Sequence, residues 1–434
     1  MDDRRPQFAW MLLARAGALA MGILASIVVA RALPPEGRGT YYMAVTVATA
    51  AMTLGHLSVD QAQTAMWARE GQRPYLDANS LPLGLVIGSA AAAVAIGLGL
   101  VFQGSANVPD ISLLATACAG VPLGMSVFYG TNIMVLRSRT GVAGRAMLAS
   151  AVAQCLCLVL LGLTGHLTVQ TVVIAWVVSM AAPLALLIAA GGVTVGLPDL
   201  GVAVATCAKG LRLHAGSAAA YLLLRSDVFL LNALAGPREV GIYTLAVTLA
   251  DLSRVAVDVL SQVTLSLQFD GDVSESAMVT ARIVRFTVLL GVASAVTTVT
   301  AVSILIVPLY GHAYAAAATL VGWLVPGVLL LSAARPLSNF LLRQRSSRLV
   351  VFPSLIALVV NVGLNAVAIP IWGAIGCALA STVAYGTLVA FQVTYFRRVS
   401  GLGWTCLLPT SVETARFTME VKHRFKALRI GGVP

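Results

Sequence analysis

The sequence predicts an all-α integral membrane protein, with about twelve transmembrane helices in two parallel six-helix lobes around a central cavity. Three observations carry this expectation. First, 59% of the 434 residues are hydrophobic and only 10% are charged, whereas soluble globular domains are about 25% charged. Second, the apolar residues form runs of roughly 20 or more, enough to cross about 30 Å of hydrocarbon. Third, the basic residues gather on alternate connections, as Lys and Arg do when retained on the cytoplasmic side. The runs are too long and too continuous for the alternating strands of a closed barrel.

In chain order the runs place spans 1 to 6 over residues 9–32, 41–66, 81–103, 111–136, 142–164 and 168–191. Spans 7 to 12 follow over 212–235, 240–267, 284–310, 314–342, 348–370 and 374–396. Little is left for a soluble domain, and no G-x-x-x-x-G-K-[ST] loop is present to hydrolyse a nucleotide. The first run reads as a signal anchor, because further spans follow it.

With both termini cytoplasmic, Arg31, Arg38 and Arg238 fall on the opposite side and Arg15, Arg225, Arg254 and Arg335 fall inside spans. Every other basic residue falls on the cytoplasmic side. An odd number of spans would carry the basic tail across the membrane, so the net charge of +11 reads as orientation and not as nucleic-acid binding. Trp10, Trp67, Trp372 and Trp404 sit at expected span ends, as interfacial indoles do, and Trp176 and Trp323 inside spans read as packing residues. The six cysteines lie in apolar runs without metal-ligand or disulfide spacing and read as small core residues. Pro122, Pro183 and Pro326 lie within spans, where they are expected to bend the helix. From Glu413 to Arg429, Phe417, Val421, Phe425 and Leu428 recur at helical spacing beside Arg416, Lys422, Arg424 and Lys426. Either this tail lies on an anionic leaflet or it is a solvated basic segment.

An offset of 202 residues lays GTYYMAVTVA (39–48) on GIYTLAVTLA (241–250) with six identities in ten, and Pro35 on Pro237. The halves read as copies: a lobe over 1–200, a lobe over 201–400 and a basic tail over 401–434. Spans 1 and 7 both start inside, so the repeats are parallel, and a cavity between them with its cargo bound near the midplane is the expected consequence.

The segments VVARALPPEGRGTYYMA, RSDVFLLNALAGPREVGIYTLA and IPIWGAIGCALAST resemble the polysaccharide and oligosaccharidyl-lipid flippases (Wzx-like) of the multidrug/oligosaccharidyl-lipid/polysaccharide exporter superfamily. The resemblance extends over the whole chain. It implies a bacterial inner-membrane protein, expected as a monomer, that moves an undecaprenyl-pyrophosphate-linked oligosaccharide by alternating access. Sodium or proton coupling is implied, with no cofactor and with polysaccharide polymerases and glycosyltransferases as partners. Relatives that carry lipid II often have fourteen spans, which counts against lipid II as cargo here.

Charges inside spans are the best functional clue, since each arginine costs about 2.5 to 3.5 kcal/mol at a helix centre and must face the interior or a wet cavity. Arg15 lies about 9 Å in along span 1, Arg254 at similar depth on span 8, Arg335 nearer the cytoplasmic end and Arg225 about 20 Å in on span 7. Such a basic cavity suits a pyrophosphate, whose oxygens guanidinium binds bidentately. Alternatives stand beside this reading. Asp251, Arg254 and Asp258 are spaced for neutralisation on one helix, and Arg335, before Pro336, reads equally as a snorkelling residue near a helix end. Asp227 on span 7, Asn361 and Asn365 one turn apart on span 11, and Ser381 on span 12 lie at matching depths. They form an all-oxygen set that a hard monovalent cation prefers. The resemblance implies a sodium site at such positions, with a carboxylate in place of Asn365 in some relatives. Pairing of Asp227 with Arg225, or its protonation, are the other readings.

Neither a catalytic triad nor paired catalytic carboxylates nor a metal cluster can be read from the sequence, and His56, His166, His214 and His312 appear scattered. A transporter is therefore expected, not an enzyme. The competing readings are a multidrug or cation exporter of the same superfamily, whose cavity should be acidic and aromatic, and a membrane polymerase or ligase, which would need a long outer loop.

Overall fold

The computed structural model describes residues 4–104, 107–191, 198–268, 272–343, 348–410 and 413. Among them every regular element is helical. Spans 1 to 6 are Arg4–Ala32, Pro35–Met66, Arg73–Val101, Ile111–Leu136, Thr140–Leu163 and Val169–Ala189. Spans 7 to 10 are Leu200–Ala235, Pro237–Gln262, Val273–Tyr310 and Ala316–Arg343. The last helical run, Arg348–Ser400, has 53 residues, about 80 Å at 1.5 Å per residue and more than twice the hydrocarbon thickness. It breaks at Gly373, whose φ of 56° and ψ of −133° lie where only a residue without Cβ is at ease. Spans 11 (348–372) and 12 (374–400) are therefore joined by a single residue, and the total is the expected twelve. The C-terminal tail beyond Glu413 lies outside the described residues.

Several spans begin a turn or more before their apolar run. Spans 2, 3, 7 and 9 start at Pro35, Arg73, Leu200 and Val273, against the expected 41, 81, 212 and 284. Backbone hydrogen bonding continues a helix past the point where side chains become polar, and local signals set the true starts. Pro35 stands at the first position of span 2, where its missing N–H costs nothing. The Asp199 carboxylate accepts from the Val202 N–H at 2.6 Å at the start of span 7. Two of the three expected proline bends occur. Spans 4 and 6 are interrupted at Ala119 and Met180, each three residues before Pro122 and Pro183, whereas the helix runs through Pro326. Trp176 packs inside as expected, but Trp323 is 46% exposed and faces outward. All six cysteines are free, and Cys118, Cys155 and Cys377 are buried.

The contacts group the chain into two compact units, 1–245 with 307–316, and 246–306 with 317–434. In the first, Ala25, Val29 and Leu33 of span 1 pack on Cys155 and Leu158 of span 5 and on Val172 and Ala175 of span 6. Ala44 and Ala48 of span 2 bring in Ala92 and Ala95 of span 3 and Val121 of span 4, small residues of the kind that let membrane helices approach closely. In the second, Ala281 and Val284 of span 9 meet Leu337, Phe340 and Leu341 of span 10 and Phe396 of span 12. The Phe340 and Phe396 rings cross edge to face at 5.0 Å. Large apolar side chains such as Val86, Leu156, Leu160 and Val359 point outward, as lipid-facing residues do.

Within the first unit the two copies of the repeated motif meet at equivalent positions. A Cβ on Gly39 would strike the Pro237 carbonyl, and one on Gly241 would strike the Pro35 carbonyl, so the backbones touch where only glycine fits. Glu36 and Arg238, also 202 apart, form an ion pair at 3.3 Å. Buried Arg38 donates to the Gly241 carbonyl at 2.6 Å and stands over the Tyr314 ring, 5.8 Å from its centroid. Around this crossing, Arg31 donates to the Leu309 carbonyl at 2.9 Å and Asn232 to the Asn107 carbonyl at 2.6 Å. The acceptors Asn107 and Leu309 are again 202 apart and the donors 201, so the two lashings fall at nearly equivalent places.

Candidate functional site

The four intramembrane arginines fall into two environments. Arg15 lines a cavity of about 530 Å³ in the first unit. Span 1 supplies Arg15, span 2 Met52, Thr53 and His56, span 4 Phe128 and Thr131, span 5 Met147 and Ser150, and span 6 Met180 and Pro183. Among the described residues none of its lining is acidic. Arg225, half-buried in the same unit, donates to the Tyr42 hydroxyl at 3.1 Å. The other two carry carboxylate partners in the second unit. Arg254 pairs with Asp251 at 3.5 Å, and Arg335 pairs with Asp258 at 2.5 Å. Asp258 thus turns from its own helix to span 10. Arg335 stands within the continuous helix Ala316–Arg343 and not at a helix end. Ion pairing answers the cost of placing these two charges in the membrane.

A second cavity of about 710 Å³ lies on the other face of the same stretch of span 2, where Val47, Ala51 and Leu54 meet Ile87 and Leu98 of span 3 and Phe229 of span 7. Its lining is almost wholly apolar.

The oxygen set proposed for a cation divides between the units. In the second, Asn361, Asn365 and Ser381 come together. Asn365 donates to the Asn361 side-chain oxygen at 3.0 Å and Asn361 donates to the Ser381 hydroxyl at 3.4 Å, all three at most 1% exposed. Among the described residues the buried side-chain oxygen of Asn365 has no hydrogen-bond partner, so its desolvation is not offset there. In the first, Asp227 is 3% exposed and accepts from the Tyr243 hydroxyl at 2.6 Å and from the Val228 N–H at 2.8 Å.

Tyr243 was present in the repeated motif, aligned with Tyr41, but nothing in the sequence ties it to Asp227, 16 residues away on another span. His56 and His214 are not scattered: their rings stand 5.1 Å apart. The sequence offers no signal for this meeting, because the two lie on spans 2 and 7.

The model of one family, described as polysaccharide biosynthesis protein, matches residues 7–265. The chain belongs to that family. No curated protein sequence matches it. Among solved structures, a lipid II flippase MurJ in an inward closed conformation aligns with a TM-score of 0.70 at 12% identity, over 90% of this chain and 89% of that one. An inward-facing multidrug resistance MATE family transporter of the MOP superfamily aligns with a TM-score of 0.67 at 15% identity, over 89% and 95%. A MOP superfamily transporter from Pyrococcus furiosus, with a binding pocket of reverse polarity, aligns with a TM-score of 0.65 at 15% identity, over 91% and 94%. This member of the polysaccharide biosynthesis family therefore has the MOP transporter fold and is a multi-pass membrane protein.

Proposed function

We propose that the chain is a flippase that carries an undecaprenyl-pyrophosphate-linked oligosaccharide across the bacterial cytoplasmic membrane by alternating access, with both termini cytoplasmic. The single observation that carries this reading is the cavity lined by Arg15 with no acidic residue in its wall. A guanidinium in such a wall binds phosphate oxygens bidentately. The neighbouring apolar cavity offers an isoprenoid chain a surface like the one it leaves. Exporters of cationic drugs need the opposite sign of charge. Family membership supports a cargo from polysaccharide assembly, made by glycosyltransferases and passed to a polymerase. A lipid II cargo is the second reading, favoured by the fold match to a lipid II flippase.

Arg15 is the headgroup ligand, with Arg225 supporting it from span 7. Arg254 and Arg335, already paired, balance charge in the second unit. Asp227, in the first unit, is the acid for a coupling proton, and in the second Asn361, Asn365 and Ser381 supply oxygens for a coupling sodium ion. The partnerless oxygen of Asn365 fits that role. Depletion in the native host, followed by mass analysis of the lipid-linked intermediate that accumulates, tests the assignment. An undecaprenyl-pyrophosphate oligosaccharide is expected, accumulated lipid II supports the second reading, and accumulation of neither overturns both.

A further inference from the structure

Span 2 does not cross the membrane as one helix. It stops at Gly55 and resumes at Val59, and Leu57 and Ser58 between them take φ of 51° and 48°, values that non-glycine residues adopt only when their surroundings hold them there. The break frees carbonyls, and the surroundings claim them. The Tyr129 hydroxyl of span 4 donates to the His56 carbonyl at 2.8 Å, and His214 Nε2 of span 7 lies 2.9 Å from the Leu54 carbonyl. A carbonyl only accepts, so Nε2 carries the hydrogen and, in the neutral ring, Nδ1 is an acceptor. Ser58, fully buried, places its hydroxyl 3.2 Å from that Nδ1 and 3.3 Å from the Ser217 hydroxyl. His56 Nε2 stands 3.8 Å from Asp60 Oδ1, an oxygen with no hydrogen-bond partner.

We propose that His56 is a second ligand for the anionic headgroup in the Arg15 cavity, charged by a proton that the His56, His214 and Asp60 cluster binds. This rests on the headgroup reading above. His56 lines the same cavity as Arg15, so a proton on its ring adds a second positive charge to a wall that otherwise holds one. The charged and titratable groups around it are Asp60 on its own span, His214, Lys209 and Cys207 on span 7, Tyr129 on span 4 and Arg15 on span 1. Asp60 favours the imidazolium, Arg15 opposes it, and Lys209 is directed to the Ala65 carbonyl. The rings are too close for both to be charged readily, so the pair takes up one proton as a unit. When that proton sits on His214 Nδ1, the ring donates to Ser58, whose hydroxyl turns from the ring to Ser217. No bond other than hydrogen bonds is remade.

Headgroup binding then takes up one proton, and its affinity falls by up to about tenfold for each pH unit above the midpoint of the pair. The test uses the full-length protein in detergent, labelled at histidine Cε1, with inorganic pyrophosphate as probe. NMR should show a His56 resonance that titrates, and whose titration changes in His214→Gln. Calorimetry should show wild type binding pyrophosphate more tightly at pH 6 than at pH 8. His56→Gln should lose most of that difference, and Arg15→Ala should lose binding at both. A His56 resonance that does not titrate, or a His56→Gln variant with the full pH difference, overturns this proposal and leaves the headgroup reading standing. Unchanged binding in Arg15→Ala, or no binding by wild type at either pH, overturns the headgroup reading and the liganding role of His56 with it.

Discussion

The two ends of span 2 solve opposite problems. At one end, from Pro35 to Gly39, backbone lies against backbone, a buried arginine is held by a carbonyl and an aromatic ring, and opposite charges meet. At the other, from Met52 to Asp60, the helix is broken and the space beside it is hollow. One end joins the repeats so tightly that any rearrangement must begin by undoing named contacts. The other already has room for a guest. The same helix is clamped and vacant about 25 Å apart along its axis.

Substitutions that add bulk to the clamp should break this contrast most severely. Gly39→Val or Gly241→Val drives a side chain into a carbonyl that cannot step aside. The expected cost is about 3 kcal/mol or more, at the upper end for overpacking, read as loss of folded protein on purification. Ordinary yield and melting temperature would show that the backbones do not touch there.

Arg15→Ala sharpens the contrast from the hollow side. Losing a charge-assisted contact worth about 1.5 to 3 kcal/mol should cut outward movement of the lipid-linked sugar tenfold or more. Because Arg15 is exposed, thermal stability should hold. Normal appearance of the sugar on the outer leaflet of cells expressing this variant would refute the role.

Arg38→Met should show the reverse pattern. The Gly241 carbonyl loses its donor in a buried site, a penalty of about 1 to 3 kcal/mol, visible as a lower melting temperature. Smaller still is the effect at the exposed Glu36 pair. Glu36→Ala should cost at most about 1 kcal/mol, and Asp258→Asn more, because Arg335 is then left unpaired within its span. For the first pair, the exchange Glu36→Arg with Arg238→Glu should recover what either single change loses.

The smallest effect lies after span 12. Glu413 accepts from the Thr410 N–H and hydroxyl and pairs with Arg285 at 3.0 Å, and these contacts hold its carboxyl below the usual range. A depressed value stabilises the folded form above the ordinary carboxylate pKa, and that contribution fades as pH falls through the lowered one. Proteolysis between Thr410 and Glu413 should therefore quicken only in acid, and Glu413→Gln should remove the pH dependence.

Helix count and the duplication were legible because each rests on a property distributed over many residues, such as apolar runs, basic connections and a fixed offset. Span starts were not, because a single proline or capping aspartate sets each of them. Of the site, the polar trio of Asn361, Asn365 and Ser381 followed from position along a helix. Pairing across helices did not follow. Asp258 was spaced for Arg254 but reaches Arg335, and His56 finds His214, 158 positions away. Rotation of one helix against another decides such meetings, and no one-dimensional period encodes it.

The Glu36 to Arg238 pair has an evolutionary consequence. A half-length ancestor docking with an identical twin would have set the same residue against itself, acid on acid or base on base. Once the copies took opposite signs at this site, each half became the preferred mate of the other and a poor mate of its own kind. For an exposed pair worth about 1 kcal/mol or less, that preference is a bias of a few fold and not an exclusion.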